Sequence, residues 1–251
     1  WSYYGGATTQ ATNNYYLTMG ASASSLSLGN GAGAWAVSCN FTTPSIGMWH
    51  HIAAVRYGSS FKVYVDGVQA GSATSSQVIA APNGPMVVGV YSPSAANGNY
   101  VQGYISDFRI VLGTALYTSN FVPPINTYNT NIANTQVLIL QTNGAHNNST
   151  FSDQSPFSSN TVITRSGNVT NGTFSPYGDN WSYYFDGSSG ISFGTGIAFG
   201  TNPFTIEMWI NPTSYSDGPW VFGQASYGLA NGSDFIFAIT TSGYLNWYYD
   251  N

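Results

Sequence analysis

The apolar positions of this chain recur with a period of two almost throughout. His51, Ala53, Val55 and Tyr57 share one face of a run whose other face holds Ile52, Ala54 and Arg56. That alternation is the mark of a half-buried strand. Phe61, Val63 and Val65 alternate with Lys62 and Tyr64, then Asp66 and Gly67 form a strong hairpin signal and Val68 opens the return strand. Further strands are predicted at 86–91, 104–112, 137–141, 181–185, 204–210, 235–240 and 244–249, separated by clusters of Gly, Asn, Ser and Pro. No stretch of ten residues carries helical spacing, and only 113–117 has room for a short turn. Many short strands at this spacing mean an all-β chain, a sandwich or a barrel.

The two ends of the chain resemble each other. WSYYG at 1–5, apolar 15–19, a Ser-rich turn and alternating Leu26 and Leu28 are echoed later. The echo is WVFG at 220–223, apolar 235–239, a Ser-Gly turn and alternating Leu245 and Trp247. The repeat period is roughly 220 residues, the size of one large domain. Pro123, Pro124 and the Asn/Thr-rich stretch that follows read as a linker, placed at 125–134.

Composition narrows the function. Charged residues are 5% of the chain, against about 25% in ordinary soluble proteins. Four Lys+Arg cannot build the basic groove that sequence-tolerant nucleic-acid binding requires, so no nucleic-acid partner is expected. No run reaches the ~18 apolar residues of a membrane helix, so no span is expected. One cysteine, Cys39, excludes an internal disulfide. The surface must be carried by Ser, Thr, Asn and Gly, and such a surface loses little when salt screens charge.

Catalytic chemistry is thin. Glycoside hydrolysis needs two carboxylates flanking the bond, and the only glutamate, Glu207, has Thr205 and Trp209 as its same-face neighbours. It reads as a structural residue. His50 and His51 are adjacent on a strand and so point to opposite faces, His146 lies in a polar loop, and no Gly-x-Ser-x-Gly elbow is present. Cys39 sits in the apolar run 35–41 and reads as an inert thiol. The expectation is therefore no enzyme. Asp66 reads as turn chemistry, and Asp107 and Arg109, two apart on a strand, as a local ion pair. Asp153 and Asp234, in loops rich in Asn, Ser and Gly, are weak candidates for Ca²⁺ ligands, the one cofactor considered.

The aromatics are the most suggestive feature, with 19 Tyr, 14 Phe and 7 Trp in a chain with so little charge. Most must fill the core. Some lie in turn-rich segments beside amides and carboxylates: Tyr91 and Tyr100 around Asn97, and Tyr215, Trp220 and Tyr227 ahead of Asn231 and Asp234. A ring beside such groups can stack on a sugar face while they bond its hydroxyls, so these eight residues are the candidate glycan-binding set.

Several phrases then fall in a familiar order. WHHIAAVR at 49–56, FKVYVDG at 61–67, GYISDFRI at 103–110 and GTALYTSNFVPP at 113–124 resemble the back half of a laminin-G-like, concanavalin A-like jelly-roll domain. FSDQS at 151–155, FSPY at 174–177, YFDG at 184–187 and FTIEMWINP at 204–212 resemble the front half of the next. The arrangement is similar to tandem domains of marine bacteriophage tail-fibre and virion appendage proteins. The resemblance implies an antiparallel two-sheet jelly-roll β-sandwich, an adhesive or carbohydrate-binding role, and in some members bound Ca²⁺. It also implies an extracellular setting, on a virion or a bacterial cell surface. The partners expected are a host-surface glycan or receptor and neighbouring domains or copies of the chain in a homo-oligomer. Residues 1–124 would be the back of one domain, 125–134 the linker and 135–251 the front of the next. Neither half has the strands to close a sandwich alone. The strands would come from outside this stretch, or the two halves would close on each other as one permuted sandwich; the first arrangement is the expected one.

Overall fold

The computed structural model describes residues 14–17, 26–29, 35–39, 44–76, 78, 86–90, 100–128, 131–141, 151, 153–155, 163–178, 181–194, 197, 199–214, 220–224, 235–239 and 245–250. They form seventeen strands and, among the described residues, no helix. In chain order these are β1 (Asn14–Leu17), β2 (Leu26–Gly29), β3 (Trp35–Cys39), β4 (His50–Tyr57), β5 (Ser60–Val65), β6 (Val68–Thr74), β7 (Met86–Val88), β8 (Gln102–Leu112) and β9 (Thr135–Ile139). The rest are β10 (Ile163–Ser166), β11 (Thr170–Gly172), β12 (Ser182–Asp186), β13 (Gly190–Phe193), β14 (Phe204–Ser214), β15 (Trp220–Gln224), β16 (Phe235–Ile239) and β17 (Leu245–Asp250). Pairing is antiparallel throughout. One sheet runs β1-β17-β16-β15-β7-β13-β10 and the other β11-β12-β8-β14-β4-β5-β6, with β9 also on β8 and β2-β3 as a separate pair. This is the two-sheet all-β sandwich expected for a concanavalin A-like jelly roll.

Alternation decides which side chains fill the sandwich. Phe204, Ile206, Met208 and Ile210 of β14, Ile52 and Ala54 of β4, and Phe61 and Val63 of β5 point inward. They meet Met86, Val88, Ile191, Phe193 and Phe222 from the other sheet in one continuous core. The opposite face of β14 carries Thr205, Glu207 and Trp209, and that of β4 carries His51, Ala53 and Val55.

Both halves of the chain build this core. β14 lies between β4 and β8, with Phe204 paired to Arg56 on one side and to Leu112 on the other. Phe61 and Phe204 meet edge to face at 6.2 Å. Strands of both segments thus share one sheet and one core within this stretch, the permuted arrangement of the two considered above. The reason is physical: either half alone would leave apolar faces and strand edges open, and each closes the other. The repeated hairpin is not left spare. β1 pairs with β17, on the side of β17 opposite to β16. Within 125–134, Tyr128 is buried against the sheet rather than held in a solvated linker.

β8 contains a bulge that reverses its faces. Trp209 is opposite Ser106 and Glu207 is opposite Arg109, so two residues of β8 face one of β14. The extra residue is Asp107, at φ 52°. Phe108 and Ile110 consequently enter the core, and Arg109 turns outward to meet Glu207.

Candidate functional site

Glu207 is fully buried on the outward face of β14. Its Oε1 accepts Arg109 Nε at 2.7 Å and also Arg109 Nη2. Its Oε2 accepts the Tyr117 hydroxyl at 2.8 Å and His51 Nε2 at 3.2 Å. A carboxylate only accepts, so the network assigns the His51 proton to Nε2. Burial alone would raise the Glu207 carboxyl, but the His51 hydrogen bond and the Arg109 charge outweigh it and hold the group below the ordinary Glu value. Burial and that same carboxylate push the Tyr117 phenol far up.

What buries this face is the irregular segment 113–128, a strap laid over the sheet. Tyr117 and Phe121 stack with centroids 3.5 Å apart, and Tyr64 meets both edge-on. Ala53 and Val55 lie beneath them. The strap is pinned by Leu116 N to Thr205 Oγ1 (2.9 Å), Lys62 Nζ to the Thr118 carbonyl (2.5 Å) and Gln69 N to Asn120 Oδ1 (2.9 Å). Phe121 N donates to the Gly67 carbonyl at 2.9 Å. Gly67, at φ 77°, has to be glycine here, since a Cβ would stand 2.0 Å from the Phe121 carbonyl oxygen.

Asp107 does not pair with Arg109 as the strand alternation predicts, because the bulge separates them. It is fully buried and accepts Gln141 Nε2 at 2.7 Å, Tyr128 N at 3.2 Å and Ser106 Oγ at 3.0 Å. Burial prevails over these bonds, so its carboxyl titrates above the ordinary Asp value.

A third polar cluster sits at the start of β4. His50 Nδ1 lies 2.7 Å from Asp66 Oδ2, and His50 Nε2 lies 2.9 Å from Ser45 Oγ and 3.1 Å from Ser45 N. Asp66 Oδ1 accepts the His51 amide at 2.8 Å, and Asp66 N donates to the His51 carbonyl. Asp66 thus closes the hairpin, as its sequence predicts, and holds His50 as well. Burial pushes its carboxyl up, but the bonds from His50 and the His51 amide bring it below the ordinary Asp value. The alternation that separates His50 from His51 holds, and each histidine has its own carboxylate. Sequence reasoning missed Ser45 and the His50–Asp66 link. The alternating run followed by Asp-Gly is the signal that could have found the link, since the hairpin returns Asp66 beside β4. Ser45 lies in a turn with no pattern to mark it.

Of the candidate glycan-binding residues, Tyr91, Asn97, Tyr215, Tyr227, Asn231 and Asp234 lie outside the described residues. Trp220 opens β15, where its backbone pairs with Ala238. Tyr100 is partly buried just before β8. Asp153 accepts Leu138 N at 3.0 Å and Ser155 N at 2.9 Å, both on Oδ1, as a loop-closing Asx residue does. Among the described residues no group of three or more His, Cys, Asp or Glu side chains is placed to hold a metal. His146 also lies outside the described residues.

Residues 2–116 match a laminin-G family model described as the concanavalin A-like lectin/glucanases superfamily. No curated protein matches the chain. The matched stretch carries β1 to β8, and β9 to β17 complete the same two sheets.

Proposed function

We propose that the chain is an adhesive, carbohydrate-binding module of an extracellular appendage, of the kind found in phage tail fibres and virion structural proteins, and that it does not cleave glycans. The observation that carries this reading is the state of Glu207. The only glutamate is fully buried under the strap with its oxygens engaged by Arg109, Tyr117 and His51. Among the described residues no pair of solvent-facing carboxylates stands on that face. A sandwich with 5% charged and 16% aromatic residues is suited to stacking and hydroxyl recognition. Tyr100, Trp220 and Tyr227 are the residues proposed to bind. An array of bacterial and algal surface glycans probed with the full chain tests the reading. Retention on a defined set of neutral or acidic glycans, weakened by Trp220→Ala and Tyr227→Ala, is expected. Release of reducing ends from those glycans, abolished by Glu207→Gln, would contradict it.

A further inference from the structure

Outside the buried Glu207 network, the Ser45–His50–Asp66 cluster has a geometry that no hairpin needs. The hairpin is already closed by the bonds between Asp66 and the His51 backbone. The imidazole is a further link: one nitrogen meets the carboxylate at 2.7 Å and the other meets an exposed hydroxyl at 2.9 Å. A carboxylate fixes the proton on Nδ1, and the single Nε2 lone pair then accepts from Ser45 twice, from its amide at 3.1 Å and from its hydroxyl at 2.9 Å, so that taking the hydroxyl proton means releasing the amide. That is the nucleophile, base and orienting group of a serine hydrolase, recognised by geometry and not by chain order. His50 is 9% exposed, so its ring is held, while Ser45 stands in solvent. Both members border an open hollow of about 540 Å³ whose other walls are Pro44, Val65, Val68, Gln69 and Ala70. Those walls are mostly apolar and carry no charge, which suits a short acyl group and not an anion.

We propose that Ser45, His50 and Asp66 form an acyl-transfer site that hydrolyses small neutral carboxylic esters. Ser45 Oγ attacks the acyl carbon, and its proton passes to His50 Nε2. The tetrahedral adduct then collapses, its C–O bond to the alcohol breaks, and His50 returns the proton to the departing alcohol. Water attacks the resulting Ser45 ester with His50 again taking a proton. Collapse releases the carboxylic acid and restores the serine. Asp66 stabilises the transient imidazolium and keeps its own charge throughout. The Gly47 amide is committed to the Pro212 carbonyl at 2.8 Å, and the Ser45 amide points at His50. These two amides therefore do not stabilise the developing oxyanion, and a missing donor of that type costs about 10²–10³ in rate. The site is accordingly suited to activated esters. The proposal is independent of the glycan-binding reading.

The test uses the full chain with p-nitrophenyl acetate, and separately with a fluorophosphonate reagent followed by peptide mass mapping. Hydrolysis above the buffer rate and covalent labelling at Ser45 are expected. Ser45→Ala, at an exposed position that does not threaten the fold, should lose both. His50→Gln should lower the rate roughly 10²-fold, the usual share of a general base. An unchanged rate in Ser45→Ala, labelling at any other residue, or no labelling at all would overturn the proposal.

Discussion

Arg109 and Glu207 stand opposite one another on β8 and β14, and the Asp107 bulge is what turns the arginine toward the carboxylate. Two of the guanidinium nitrogens reach a single carboxylate oxygen, the other oxygen takes Tyr117 and His51, and the carboxylate, guanidinium and imidazole are buried. A buried pair of this kind is strongly destabilising to break from one side, because the remaining charge has no solvent. Arg109→Leu is expected to lower unfolding free energy by about 3–5 kcal/mol. The double substitution Arg109→Met with Glu207→Leu should cost clearly less than the sum of the two singles. Denaturant unfolding at neutral pH measures both. Additive losses would mean that the two groups are not coupled.

The acid side of the stability profile follows from three carboxyls. Glu207 and Asp66 titrate below their ordinary values of 4.5 and 3.8 in the folded chain. Each therefore contributes stability that is present above its unfolded value and is lost as pH falls through its folded value. Asp107 is raised, so its ionisation opposes folding, and that opposition disappears as pH falls below its ordinary value of 3.8. Wild-type stability should decline below about pH 4.5, and Glu207→Gln should flatten that decline. Asp107→Asn should raise stability at pH 7 relative to wild type, with the gain shrinking in acid. Thermal unfolding across pH 2.5–7 reads all three.

Phe61 and Phe204 come from the two segments that the sequence assigns to successive domains. Each Phe→Ala change is expected to cost about 3–5 kcal/mol, the usual price of a large core cavity. Their edge-to-face contact at 6.2 Å should give a coupling of about 0.5–1.5 kcal/mol in a double-mutant cycle. Zero coupling would mean that the two rings do not share a core.

Gly67 and Gly58 provide a matched contrast. Both have positive φ, but a Cβ on Gly58 meets nothing within 4 Å, whereas one on Gly67 strikes the strap. Gly58→Ala should cost only the backbone term of about 1–2 kcal/mol. Gly67→Ala should cost more and should loosen the strap, seen as faster amide exchange at Phe121, whose N–H bonds to Gly67. Equal effects would show that the strap yields freely.

The alternation made most of the fold legible. The runs around His51, Phe61 and Phe204 became β4, β5 and β14. Short strands such as Thr170–Gly172 and Gly190–Phe193 went unread because three or four residues with glycine carry no period. The Asp107 bulge was invisible because it needs one residue more than alternation allows, and the wrong Asp107–Arg109 pairing follows from that single slip. The partner of Glu207 therefore lay 98 residues away, and a pairing that distant is not written in local pattern. The same limit hid the shared core: a repeat period and a proline pair report where strands lie, and strand pairing decides which halves meet.

The role we propose is recognition of glycan by stacking and hydroxyl bonding on a nearly uncharged sandwich. The direct measurement is the affinity of the full chain for its strongest array glycan, determined by calorimetry at about 0.02 M and about 1 M NaCl, since ionic contacts are screened across that range. Affinities within about twofold of each other are expected, with a large loss in Trp220→Ala at both salt concentrations. Binding that collapses at high salt, or that survives loss of Trp220 and Tyr227 unchanged, would overturn that reading.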